Sequence, residues 1–182
     1  EVWAAIQNAT NRRVAIKHIF PEHVLMVREI MEATRNGGPA VRLKEDWHRE
    51  LAILHEIQRA GGHPHVISLL EDFEVQDVGY IMVFEYCDGG ELFDRLETTG
   101  WTRAEALSDM HGLLHAVAFI HSLGYVHCDL SLENYMQSSG TDSGQSGVRI
   151  IDMGGAQRAS AGERLQYPSR DIEGFCGVGK VF

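Results

Sequence analysis

The chain has 182 residues, 44% of them hydrophobic and 23% charged, with a formal net charge of −10. A chain of this length forms about one domain and buries roughly 70% of its unfolded surface, so a true core is within reach. The acidic balance argues against nucleic acid, whose recognition needs a basic footprint, and suits a basic peptide partner.

Residues 1–19 predict two strands joined at Asn8-Ala9-Thr10-Asn11, with Val2, Ala4 and Ile6 alternating and Arg13–Ile19 as the second strand. Pro21 opens a helical stretch carrying Val24, Leu25, Val27, Ile30 and Met31, broken by Asn36-Gly37-Gly38-Pro39. Trp47–Ala60 is a stronger helix, with Glu50, Leu51, Leu54 and Ile57 on one face and Gly61-Gly62 as its stop. Two β-rich segments follow, Val66–Glu74 and Tyr80–Glu85, around a turn at Gln76–Gly79. Past Asp88-Gly89-Gly90, Thr102-Arg103-Ala104-Glu105 is a capping box that starts a long helix with Leu107, Leu114, Val117 and His121 along one stripe. Short strands at Tyr135–Gln137 and Val148–Ile151 flank a polar hairpin tip, and a Gly- and Ser-rich tail ends the chain.

Three cysteines, Cys87, Cys128 and Cys176, are too few and too scattered for a disulfide framework, which points to a reducing, intracellular (cytoplasmic) setting. No apolar run reaches the about 18 residues of a membrane span. Ten histidines invite a metal reading. His111 and His115 lie one helical turn apart, but a zinc centre needs three or four convergent ligands and no glutamate follows His111 in the protease pattern.

The chemistry concentrates in His127-Cys128-Asp129-Leu130-Ser131-Leu132-Glu133-Asn134 and Asp152-Met153-Gly154. Phosphoryl transfer to a hydroxyl needs one carboxylate to accept the hydroxyl proton, with an amide oxygen and a second carboxylate to hold magnesium on the phosphates. Upstream, Val14-Ala15-Ile16-Lys17 ends a β-branched run with a lysine suited to phosphate oxygens. In this order the pieces resemble the eukaryotic protein kinase signature set, and the resemblance spans nearly the whole chain.

That resemblance implies an α+β, two-lobed fold: residues 1–86 as a small lobe, residues 87–182 as part of a large lobe ending in the activation segment. It implies an ATP- and Mg2+-dependent serine/threonine kinase. Asp129 becomes the catalytic base, Lys17 the phosphate-binding lysine, and Glu50 the carboxylate that holds Lys17, with Glu45 as runner-up. Asn134 and Asp152 become the magnesium ligands. The backbone of Glu85 and Cys87 would meet the adenine edge behind a Phe84 gatekeeper. Glu91 would contact ribose or a basic substrate residue. Val2, Ala15, Leu92 and Met136 would enclose the adenine ring, and Leu54, Leu69, His127 and Met153 would stack into a spine. The run Glu85–Asp94 looks like calcium/calmodulin-dependent kinases, and Glu91 with Glu133 suits substrates with an upstream arginine. A calmodulin-binding tail would lie beyond residue 182.

Departures from the family pattern shape the expectation. Cys128 replaces the arginine that clamps an activation-segment phosphate, so phosphorylation of Ser160 or Ser169 should activate little. Ser131 replaces a lysine that neutralises the transferring phosphoryl group, and Met153 replaces a phenylalanine. The glycine-rich loop and the Ala-Pro-Glu motif would fall outside the sequence, so the chain reads as a fragment, inactive alone. The rival reading is a pseudokinase, a nucleotide-binding or scaffold module on the same fold.

Overall fold

The computed structural model describes residues 1–38, 46–141 and 146–159. The first 85 residues fold around one antiparallel sheet of β1 (Val2–Gln7), β2 (Arg12–Ile19), β3 (Leu69–Val75) and β4 (Gly79–Glu85), in the order β1-β2-β4-β3. Asn11 takes the left-handed conformation that closes β1 onto β2. Asparagine tolerates this better than most side chains. Gly79 (φ +117°) opens β4, where a Cβ would fall 2.1 Å from the Ile19 carbonyl oxygen, so no other residue fits that approach.

Two helices form where expected. In α1 (Pro21–Arg35) the proline sits in the first turn, where its missing N–H costs nothing. Of the expected apolar positions on α1 only Val24 and Val27 are buried, Ile30 is half-buried, and Leu25 and Met31 are exposed. In α2 (Trp47–Arg59) the Asp46 side chain caps the N-terminus by accepting from the backbone N–H groups of His48 and Arg49. The buried face of α2 carries Glu50, Leu51, Leu54 and Ile57 as expected, joined by Trp47 and Ile53. The Glu45 alternative and Pro39 of the break after α1 lie outside the described residues.

Beyond the sheet come a short α3 (Leu92–Thr98), the long α4 (Arg103–Ser122), β5 (Tyr125–Val126), the hairpin β6 (Tyr135–Ser138) and β7 (Gly147–Ile150), and β8 (Gln157–Arg158) paired with β5. The capping box is formed in full: Thr102 accepts from the Glu105 N–H, and Glu105 accepts from the Thr102 N–H. The stripe on α4 needs correction. Leu107 and Leu114 are 63% and 53% exposed, and His121 is exposed too. The buried line is Ala106, Asp109, Gly112, Leu113, Ala116 and Ile120. Apolar residues lie on every side of this helix, so periodicity does not select a face; packing does.

One hydrophobic cluster runs from Val24 and Leu54 through Leu69, Met82 and Phe84 to Leu113, Ile120, Tyr135 and Ile150. At its centre Gly112 lets the His65 ring approach: a Cβ there would sit 2.5 Å from the imidazole, whose Nδ1 bonds the Val148 carbonyl at 2.8 Å. Long-range packing thus fixes β7, the strand that leads into Asp152. Among the described residues no helix is long and apolar enough to cross a membrane.

Candidate active site

Lys17 lies on β2, paired with Val2 on one side and Met82 on the other. Its Nζ donates to both Glu50 carboxylate oxygens, at 2.9 and 2.7 Å, and lies 3.5 Å from Asp152 Oδ1. Three separate elements therefore converge on one ammonium. Glu50 is 3% exposed. It stands in the first turn of α2, where the helix dipole favours an anion. Burial pulls the Lys17 pKa down, but the adjacent Glu50 and Asp152 carboxylates outweigh it and hold the ammonium above its ordinary value.

Asp152 adopts a left-handed backbone (φ 58°) and caps a single 3-10 turn, Met153–Gly155, by accepting from the Gly154 N–H at 3.1 Å. Gly154 belongs there: a Cβ would stand 3.1 Å from Asp152 Oδ1 and 3.7 Å from Glu50 Oε2. The Asp46 N–H reaches the Gly154 carbonyl at 3.4 Å, which joins the start of α2 to the Asp152 turn.

The Asp129 loop is tied down locally. His127 is buried and bonds the Ile151 carbonyl through Nε2 at 3.0 Å, while its Nδ1 accepts the Asp129 N–H at 3.3 Å. Those two bonds set the tautomer, with the proton on Nε2. Cys128 is left-handed (φ 70°), and its thiol donates to the Val126 carbonyl. Asn134 Nδ2 donates to the Asp129 carbonyl at 2.8 Å, and the Asn134 carbonyl accepts the Ile151 N–H at 2.9 Å. The loop is thereby stitched to the residue just before Asp152.

Asn134 and Asp152 bring the oxygen donors that a hard cation takes. With the Asn134 amide nitrogen committed to Asp129, its Oδ1 is the atom left for a ligand, and the Asp152 side chain is 41% exposed. Among the described residues no group of three or more His, Cys, Asp and Glu gathers around a metal position. A two-residue oxygen set suits magnesium, which binds through few protein groups and takes the rest from phosphates and water.

The segment Glu85–Glu91, expected at the adenine edge, is tied to its neighbours by backbone bonds. The Glu85 N–H is spent on the Ser68 carbonyl at 3.1 Å, so any backbone role toward a ligand falls to the Glu85 carbonyl. Cys87 is buried, and burial raises its thiol pKa to about 12, so it stays protonated. Gly89 and Gly90 pair with Gln137 (N–H to carbonyl, 2.8 and 2.9 Å), and Glu91 bridges to Met136. Ala15 lies opposite Phe84 across the strands. Ala15 and Met136 are half-buried, Leu92 is buried, and Val2 is exposed. Leu54, Leu69, His127 and Met153 are all buried.

One contributor escaped the sequence reading. Arg149, 1% exposed on β7, directs Nε to Glu85 Oε1 at 3.4 Å, while Glu85 Oε1 also accepts the Ser68 N–H at 3.0 Å. The pair joins β4 to β7, the strand that precedes Asp152. The available signal was a single arginine inside the apolar run Val148–Ile151.

Comparisons with known proteins agree with this geometry. The family model for the protein kinase domain matches residues 1–176. The chain is similar to calcium-dependent protein kinase 24 of Arabidopsis thaliana, 39% identical over 111 residues, covering 60% of this chain and 18% of that protein. It is similar to the phosphorylase b kinase gamma catalytic chain, liver/testis isoform, of Homo sapiens, 32% identical over 166 residues, covering 91% of this chain and 36% of that protein. CDPK-related kinase 5 of Arabidopsis thaliana is 38% identical over 123 residues, covering 66% of this chain and 20% of the relative. The chain thus spans well under half the length of these relatives. With the lysine, the two acidic turns and the asparagine in place, the chain belongs to the protein kinase domain family.

Proposed function

We propose that this chain is part of an ATP-dependent serine/threonine protein kinase that transfers a phosphoryl group from Mg-ATP to a hydroxyl in basic peptides. The observation that carries the reading is Lys17 Nζ, held by Glu50 and within 3.5 Å of Asp152. A pinned ammonium beside a half-exposed carboxylate is the arrangement that receives a phosphate–magnesium pair. Residues 1–86 form the small lobe and residues 87–182 part of the large lobe, with the adenine edge read by Glu85 and Cys87 and enclosed by Val2, Ala15 and Met136.

The residues divide the work. Lys17 orients the phosphates, and Glu50 keeps Lys17 extended toward them. Asn134 and Asp152 would hold magnesium, which when bound supplies positive charge against the phosphates. Asp129 orients the acceptor hydroxyl and takes its proton; His127 fixes the backbone that aims it. Glu91 offers a carboxylate to a substrate arginine or to ribose. Cys87 is a buried thiol and the Cys128 thiol is bonded to the Val126 carbonyl, in keeping with a reducing, cytoplasmic compartment. A calmodulin-type regulator is the further partner that the similarity to calcium-dependent kinases suggests.

The scaffold reading has one structural observation in its favour. The Cys128 thiol bonds the Val126 carbonyl, where an arginine would have reached for a phosphate. The test is phosphate transfer to an arginine-containing serine peptide with Mg-ATP, comparing the whole protein with its Asp129→Asn variant. A positioned base contributes about 10² to 10⁴ in rate, and a loss of that size is expected. Nucleotide binding without turnover, or turnover indifferent to Asp129→Asn, would replace the enzyme with the scaffold.

A further inference from the structure

Away from this site, α4 turns two imidazoles toward each other. His111 and His115 are both exposed, one helical turn apart, with ring centroids 4.4 Å apart and Nε2 atoms 3.2 Å apart. Residues at this spacing are neighbours on a helix surface. Two bonds of about 2.0–2.1 Å to a common ion, meeting at roughly 90–109°, hold their nitrogens about 2.8–3.4 Å apart. The observed separation falls inside that range. A hydrogen bond accounts for the same distance in the metal-free molecule, with one Nε2–H donating to the other Nε2. An ion would take the place of that single proton, because both nitrogens must be unprotonated to coordinate.

We propose that His111 and His115 form a chelating site for a borderline divalent transition metal of the zinc, copper and nickel class. Imidazole nitrogen suits these ions, whereas magnesium prefers oxygen and belongs to the other site. His63 stacks on Phe119, one turn beyond His115 on the same helix. Among the described residues no three-ligand group is assembled, so water completes the coordination and the ion exchanges freely. The bound ion would staple one turn of the helix that packs Leu113 and Ile120 into the core.

The test titrates the purified whole chain with Zn2+, Ni2+ and Cu2+ alone, by calorimetry and thermal melting. One ion per chain is expected at the pair, with Cu2+ tighter than Ni2+ and Zn2+, a rise in melting temperature, and no competition from Mg2+. Losing an outer partner of a metal ligand costs about 10–100-fold in affinity, so His111→Ala or His115→Ala should cost at least that much. Both side chains are exposed, so the variants should keep the parent's circular dichroism. Nitrogen-15 shifts of the two Nε2 atoms on adding Zn2+ read the same site in the unaltered chain. Undiminished binding by the His111→Ala/His115→Ala variant, or Zn2+ that leaves both Nε2 resonances unmoved, would overturn the proposal.

Discussion

The Lys17 cluster and the Asp129 loop are built in opposite ways. The first joins side chains 33 positions apart across β2 and α2, then adds Asp152 from the far end of the described chain. The second is shaped by near neighbours, His127 to Asp129, Ser131 to Asp129 and Asn134 to Asp129, and is then anchored to Ile151 through His127 and Asn134. The long-range cluster exists only while the core holds β2, α2 and β7 together. The loop carries much of its shape in its own spacing. Perturbing the fold should therefore disperse the ammonium and its carboxylates first.

Lys17→Met should have the largest effect. It removes the cation from a buried carboxylate, and breaking such a pair costs about 3–5 kcal/mol; the lower end is expected because Lys17 is a quarter exposed. Phosphate transfer should also fall by about 10² or more, the scale seen when one preorganised charge or donor is lost. Adding Glu50→Leu should recover stability in urea titration without recovering transfer. If Lys17→Met melted like the parent, the long-range cluster would contribute nothing to holding β2 and α2 together.

Next in size is the packing of α4 against β7, the strand that precedes Asp152. Leu113 is fully buried on α4, whereas Leu114 points outward. Leu113→Ala should cost about 3 kcal/mol through lost contacts and a residual cavity, and Leu114→Ala should stay within about 0.5 kcal/mol. Denaturant midpoints decide it; equal losses would return α4 to the stripe read from its sequence.

That pair of leucines also marks where the sequence stops being legible. Signals confined to a few positions read correctly: the Thr102 capping box and the Gly61-Gly62 stop. So did Glu50, because its helix has one clear apolar face. The face of α4 did not, since an apolar residue is available on every side and only tertiary contacts choose among them. The α3 helix was missed because its seven residues are too few to show a period. Arg149 was missed because its partner Glu85 is 64 positions away, and nothing in a short strand announces a buried ion pair. The left-handed Cys128 and Asp152 follow from the hydrogen bonds around them, not from residue type.

Smaller effects belong to the loop. Asn134→Ala removes the bond to the Asp129 carbonyl and should cost about 1 kcal/mol. Its signature should be kinetic: transfer weakened at low Mg2+ and partly recovered as Mg2+ is raised. Recovery identical to that of the parent at every Mg2+ level would separate Asn134 from the cation.

The smallest expected effect tests long-range assembly away from the site, at the Asp72 carboxylate on β3. It accepts from Tyr80 Oη at 2.5 Å and lies 2.6 Å from His55 Nε2, so it ties β3 to β4 and to α2. Burial pushes its pKa up, but the Tyr80 and His55 interactions outweigh that and leave it below the ordinary value of 3.8. A carboxyl held low in the folded state adds stability that is fully present above its unfolded pKa and is lost as pH falls through the folded one. The parent should therefore lose about 1 kcal/mol from this group on acidification below pH 3.8, while Asp72→Asn, already lacking the charge, should show a flatter acid limb there. At neutral pH the variant should melt slightly lower than the parent. Superimposable acid limbs would mean that Asp72 is bonded without being electrostatically coupled, and that the sheet's link to α2 rests on apolar packing alone.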